Sequence, residues 1–323
     1  MSRIFIVAVT LLACRICAIG GQDKLAEVER ARQYGAKGRV VIRVVDTTGK
    51  PVEMAKYSVA LFPSDSYAEA DVREGRADTN GCFAIEGVTV ADMAYVITKD
   101  GHYRTEGKYW FYRQGENCVQ GGCWQPWGLT NTIVLKERRN PIPMLAKRVE
   151  VSIPARDVPY GFDLEVGDWV VPHGKGMHAD LTMSYSSHIV DMLTFSNQLV
   201  ISCGNQANGL RRASKEMWSS FISAYEAPTA GYQKQVVLSV DRNRNMVIKY
   251  EEIDGDNYLI FRVRTSVDDK GSAVTARYGK IYGPIEYGDD DTNQGVVRFT
   301  YYFNPIENDR NLEYDPARNL FGQ

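Results

Sequence analysis

Apolar residues recur at every second position through most of the patterned stretches of this chain, and only twice at helical spacing. Val40, Ile42 and Val44 share one face of a run whose other face carries Arg39, Val41, Arg43 and Val45. Tyr57, Val59 and Leu61 then alternate with Lys56, Ser58 and Ala60. Alternation of this kind, bounded by Gly and Pro, predicts half-buried strands. Thr48-Gly49-Lys50-Pro51 and Asp78-Thr79-Asn80-Gly81 supply the turns, because Asn and Gly take positive φ cheaply, and Phe83 and Ile85 open a third strand. Further strand material follows at Ala94–Thr98, at the aromatic run Tyr109–Tyr112 and at Thr132–Lys136.

Asn140-Pro141-Ile142-Pro143 cannot sustain a helix, and its prolines cannot donate in a ladder, so 140–146 reads as a Pro-rich linker. Beyond it a second β pattern runs over 147–323. Val149, Val151 and Ile153 alternate, as do Phe162, Leu164 and Val166, then Leu259, Phe261 and Val263, then Val297, Phe299, Tyr301 and Phe303. Gln235–Val240 and Met246–Tyr250 flank a short polar loop, which predicts a hairpin. The helical exceptions are 22–36, whose thin stripe of Leu25, Val28 and Ala31 predicts a surface helix or spacer, and 214–224. The predicted class is all-β: an N-terminal Greek-key β-sandwich over 38–139, then a second, larger sandwich-type domain. A helix or linker over 21–37 precedes the first.

Residues 1–20 carry Arg3 and ten uncharged residues from Ile4 to Ala13, which reads as an export signal and is too short to span a bilayer. Two processing readings stand. Ala18-Ile19-Gly20 offers a small-x-small cleavage site, giving soluble export; Leu11-Leu12-Ala13-Cys14 offers a lipid attachment at Cys14. The sequence favours the first. The expected location is secreted, periplasmic or cell-surface.

The spacing D-x-x-G-x-P-V at Asp46–Val52 and D-x-x-G-x-F at Asp78–Phe83 resembles the carboxypeptidase regulatory-like domain, a transthyretin-type β-sandwich. That resemblance implies an accessory module on exported proteins and no activity of its own. The stretches NPIPMLAKRVEVSIP, FDLEVGDWVVPHGKG and FNPIENDRNLEYDPARNLF resemble uncharacterised secreted bacterial proteins, which imply no activity either.

Charge changes the picture little. With 38 basic and 40 acidic residues interspersed, the chain offers no stripe for nucleic acid. An even count of cysteines beyond the signal in an exported chain favours disulfides, and Cys118 and Cys123, enclosing two glycines, are the expected pair. Cys82 and Cys203 are left open as a pair or as buried thiols. Trp110, Trp124 and Trp127 form a candidate platform for sugar rings, against the reading of a lid over the sandwich end.

Asp241-x-Asn243-x-Asn245 with Glu252 imitates a calcium loop, but Met246 replaces the needed Gly, so a hairpin turn and no cofactor are expected. None of the histidines (His102, His173, His178, His188) falls in a metal spacing, and no nucleophile or phosphate motif occurs. The function expected is a non-catalytic exported binding or structural module that recognises a polysaccharide or a cell-surface protein. The alternative is a glycoside-processing enzyme, which needs two carboxylates roughly 5–10 Å apart across a groove in the second domain.

Overall fold

The two D-x-x-G turns show how local chemistry sets the first unit. Asp46 Oδ1 accepts hydrogen bonds from the backbone N–H and the hydroxyl of Thr48 and from the N–H of Lys50. Asp78 Oδ1 accepts from the N–H groups of Asn80 and Cys82 in the same way. Gly81 has φ 72°, and a Cβ there would lie 2.5 Å from the Val44 carbonyl oxygen, so only glycine fits. Each turn thus closes on a carboxylate and reverses the chain between strands.

The structure is a computed structural model that describes residues 25–64, 69–116, 118–191, 193–204, 207–215, 218–245, 248–269 and 273–321. The stretch 1–20 expected to act as an export signal, with Cys14, lies outside these residues. Two compact units divide at Arg138/Arg139, the first also taking in a later segment that ends at Phe221. Among the described residues, no helix is long and apolar enough to cross a membrane.

The first unit is a β-sandwich. One sheet contains β1 (Ala36–Val45), β4 (Cys82–Thr89), the short β7 (Val119–Gln120) and β8 (Cys123–Trp124), and β9 (Leu129–Val134), which runs parallel to β1. The other has the order β3-β2-β5-β6, with β2 (Lys56–Leu61), β3 (Asp71–Arg76), β5 (Asp92–Thr98) and β6 (Thr105–Trp110). The β1–β4 and β2–β5 pairings pass over intervening strands, as in a Greek key. Val40, Ile42, Val44, Val59, Leu61, Met93 and Ile97 are each 0% exposed and fill the space between the sheets.

The second unit stacks two six-stranded sheets. The first has the order β15-β18-β19-β20-β10-β21, formed by β10 (Ile142–Ser152), β15 (Gly209–Ser214), β18 (Asn257–Val267), β19 (Ala273–Asp289), β20 (Gly295–Asn304) and β21 (Tyr314–Asn319). The second has the order β12-β11-β13-β14-β16-β17, formed by β11 (Tyr160–Asp163), β12 (Asp168–Trp169), β13 (Leu181–Asp191), β14 (Thr194–Ser202), β16 (Gln235–Arg242) and β17 (Ile248–Glu251). Phe162, Leu181, Met183, Tyr185, Leu238, Phe261, Tyr301 and Phe303 are buried in its core.

Several expectations need correction. The 140–146 linker is not one: β10 begins at Ile142, and Pro143 is tolerated because the ladder to β21 shifts register between Ile142 and Met144, where no donor is required. The described residues of 214–224 are not helical. Their amides are taken by sheet-type partners instead, Lys215 N–H by Asp256 O and Ser220 N–H by Arg104 O, while Thr105 and Ser219 form a bridge. The alternation at Phe162, Leu164 and Val166 ends at Asp163, where the chain turns.

Cys118 and Cys123 are free thiols. The register sets Gln120 opposite Cys123, and Gln125 N–H bonds Cys118 O, so the two cysteines are diagonal neighbours. Diagonal positions are ~7–8 Å apart, beyond comfortable bridging range. Cys82 and Cys203 are free as well.

The helix over 25–34 is more than a spacer. Val28 and Ala31 are 5% and 4% exposed and join the first unit's core, while Leu25 is 66% exposed. Val28→Ala is accordingly expected to cost about 1–2 kcal/mol and Leu25→Ala nothing measurable, read by urea denaturation of the full chain.

Candidate ligand-binding surface

Strand alternation puts Ser58 and Ala60 of β2, Ala94, Val96 and Thr98 of β5, and Lys108 and Trp110 of β6 on the outer face of the four-stranded sheet. The central positions are small, so the face is a shallow trough with charged side chains along its margins. Two depressions lie on it. One of about 450 Å³ is lined by Lys56, Ser58, Glu74, Arg76, Val96 and Thr98 among others. The second, of about 190 Å³, is lined by Phe62, Ser64, Val90, Ala91, Asp92, Lys108 and Trp110.

The second depression has a definite chemistry. Asp92 pairs directly with Trp110 across the β5–β6 ladder, which puts the carboxylate and the indole on one face. Lys108 lies opposite Ala94, whose small side chain leaves room for the lysine to reach diagonally to Asp92. Its Nζ stands 2.9 Å from Asp92 Oδ2, 5.4 Å from the Trp110 ring and 5.9 Å from the Phe62 ring. Trp110 is 54% exposed and Asp92 only 7%, so an open apolar plate stands beside a desolvated acid. An exposed indole with adjacent polar groups suits a ligand that has both an apolar face and a polar edge.

The three tryptophans of the sequence platform do not come together. Trp124 is 0% exposed, and its indole N–H donates to Thr89 O at 2.8 Å, which makes it a core residue and no platform. Trp127 is 40% exposed but does not line the Trp110 depression. Sequence reasoning missed Asp92, Lys108 and Phe62. The available signal was the run of small residues at alternate positions of β2 and β5.

In the second unit, a cleft of about 300 Å³ is lined by His188, Thr194, Phe195, Ser196, Asp241, Arg242 and Asn243. His188, Ser196 and Asp241 occupy one cross-strand row, an assortment that suggests a hydrolytic triad. The order is wrong for one. Ser196 sits in the middle and donates its hydroxyl to Asp241 Oδ1 at 2.5 Å, so the carboxylate holds the serine and does not orient the imidazole. Among the described residues that line the cleft, Asp241 is the one carboxylate, with no second acid facing it.

The oxygen-rich turns spend their acceptors internally. Asn243 Oδ1 takes the Asn245 N–H, Asp254 Oδ1 the Asp256 N–H, and Asp290 Oδ1 the N–H groups of Thr292 and Gln294. Among the described residues, no group of three or more His, Cys, Asp or Glu is placed to hold a metal ion.

The densest charge in the second unit is structural. Arg264, at φ 52°, donates from Nε and Nη2 to both oxygens of Asp180 at 2.8 and 2.9 Å and from Nη2 to Asp163 at 3.2 Å, and also pairs with Glu165. Burial alone would raise the Asp163 pKa, but backbone N–H groups of Met177, His178, Glu165 and Val166 more than offset it and hold the carboxyl below its usual range. This network pins the segment 164–180, which carries β12, to the core.

No family model matches the chain, and no curated protein does. The chain is slightly similar in structure to 3-chlorocatechol 1,2-dioxygenase from Rhodococcus opacus 1CP, at 12% identity and TM-score 0.27, covering 33% of this chain and 62% of that one. It is also slightly similar to BcpA, the major pilin subunit of Bacillus cereus, at 8% identity and TM-score 0.22, covering 83% and 96%. The third is the full-length major pilin SpaD from Corynebacterium diphtheriae, at 9% identity and TM-score 0.24, covering 82% and 65%. The chain thus spans less than two thirds of the dioxygenase, and likenesses this slight carry nothing about activity.

Proposed function

We propose that the protein is an exported, non-catalytic binding module that lays a carbohydrate chain along the outer face of the four-stranded sheet. The observation that carries this reading is the exposed Trp110 indole beside the buried Asp92 carboxylate, at the end of a trough floored by Ser58, Ala60 and Ala94. A pyranose has an apolar face for the indole and hydroxyls for the charged margins. The charged start and short apolar run of residues 1–20 support export, and the D-x-x-G turns support kinship with regulatory-like accessory modules.

The test is a panel of polysaccharides, glycosides, peptides and esters, assayed in parallel for binding and for turnover. Binding to at least one glycan is expected, with Trp110→Ala weakening it roughly tenfold or more at unchanged fold. No turnover is expected. Hydrolysis that disappears when one second-unit Asp or Glu is changed to Ala would overturn the non-catalytic reading and establish the glycoside-processing alternative.

A further inference from the structure

The Trp110 depression already contains a cation. Lys108 brings its ammonium to 2.9 Å from the Asp92 carboxylate, within cation–π range of both Trp110 and Phe62. The Asp92 side chain is 9% exposed, whereas that of Lys108 is 40% exposed on a flexible stem. The contact is an ion pair only, because Asp92 Oδ2 accepts no hydrogen bond in a favourable direction. The acid and the two rings form a receptor for a positive charge, and the neighbouring strand fills it from within.

We infer that this receptor takes an ammonium group borne on a sugar ring, a deacetylated amino sugar, which displaces Lys108 into solvent. The inference rests on the carbohydrate-binding reading and names the ligand class for that surface. Exchanging one ammonium for another keeps the desolvated carboxylate neutralised, which a neutral sugar cannot do. An anionic sugar would meet Asp92 at close range. The incoming ring then stacks on Trp110 while its ammonium replaces Nζ, so one residue pair reads both the sugar face and its charge.

The experiment titrates the full chain with a β-1,4-linked glucosamine tetramer, its N-acetylated counterpart and a glucose tetramer, at a pH where the amine is protonated. Binding is read by calorimetry and by tryptophan fluorescence. The glucosamine tetramer is expected to bind about tenfold tighter than either neutral one. Lys108→Met should tighten glucosamine binding by a further ~10-fold and leave the neutral tetramers unchanged, because it removes the internal competitor. Asp92→Asn should abolish the preference; if that variant does not fold, the Lys108→Met result decides. Equal affinity for all three tetramers, or no gain in Lys108→Met, overturns the ammonium inference and leaves carbohydrate binding standing. Binding to none of these, or of a wider glycan panel, overturns the carbohydrate reading and this inference with it.

Discussion

Arg264→Met is expected to destabilise the second unit by about 3–5 kcal/mol. The substitution keeps most of the aliphatic stem and removes the charge that Asp163 and Asp180, at 1% and 2% exposure, are arranged around. Neither acid can reach water without opening the 164–180 segment, because Asp163 also holds the N–H groups of Met177 and His178 and Asp180 holds that of Leu164. Arg264→Lys retains the charge but not the fork that bonds both oxygens of Asp180, so an intermediate loss is expected.

The pH dependence separates this account from simple loss of packing. In the native protein the Asp163 pKa is depressed. Its contribution is therefore present above the unfolded value of about 3.9 and lost as pH falls through the lower folded value. In Arg264→Met, Asp163 keeps its backbone N–H donors but loses a counter-charge, so its folded pKa moves up towards the unfolded value. The variant should then lose less stability than the native protein as the pH falls from about 5 towards about 3. Scanning calorimetry across that range measures both. A variant whose Tm tracks the native protein at every pH would show that the guanidinium contributes packing alone.

Trp124→Ala is the second large effect, about 3–5 kcal/mol on the first unit. It empties a site that is 0% exposed and removes the donor to Thr89 O. Trp110→Ala, at 54% exposure, should change stability by no more than ~0.5 kcal/mol. Urea denaturation of the two variants decides whether these tryptophans divide into core and surface. Equal losses would place Trp110 in the core and remove the plate on which ligand binding is proposed.

Those tryptophans mark where sequence reading stopped. Trp110 and Trp124 are both aromatic residues near turns, and no local pattern distinguishes them. What separates them is a short hairpin, β7–β8, whose second strand pairs with β1 at Lys37. That contact spans more than eighty residues of chain, and it sends Trp124 inward. Asp92 was invisible for a related reason. An isolated acid reads as solvated, and its burial depends on Phe62 and Trp110 arriving from two other parts of the chain. The edge strand β3, DVREGR, escaped notice because it carries charges where a core strand carries apolar residues. Charged side chains are what an unpaired sheet edge uses to discourage further pairing.

The sequence by itself determined the all-β class, the D-x-x-G turns and most strand positions. Period-two alternation and the φ requirements of Gly and Asn are local properties, readable within a few residues. Tertiary structure alone decided the rest: the docking of the 25–34 helix, the diagonal placement of Cys118 and Cys123, the sheet-type use of the 214–224 amides, and the meeting of Asp92, Lys108 and Trp110. Each of these depends on strand register and on which element covers which, and a side chain's exposure is settled by neighbours distant in the chain.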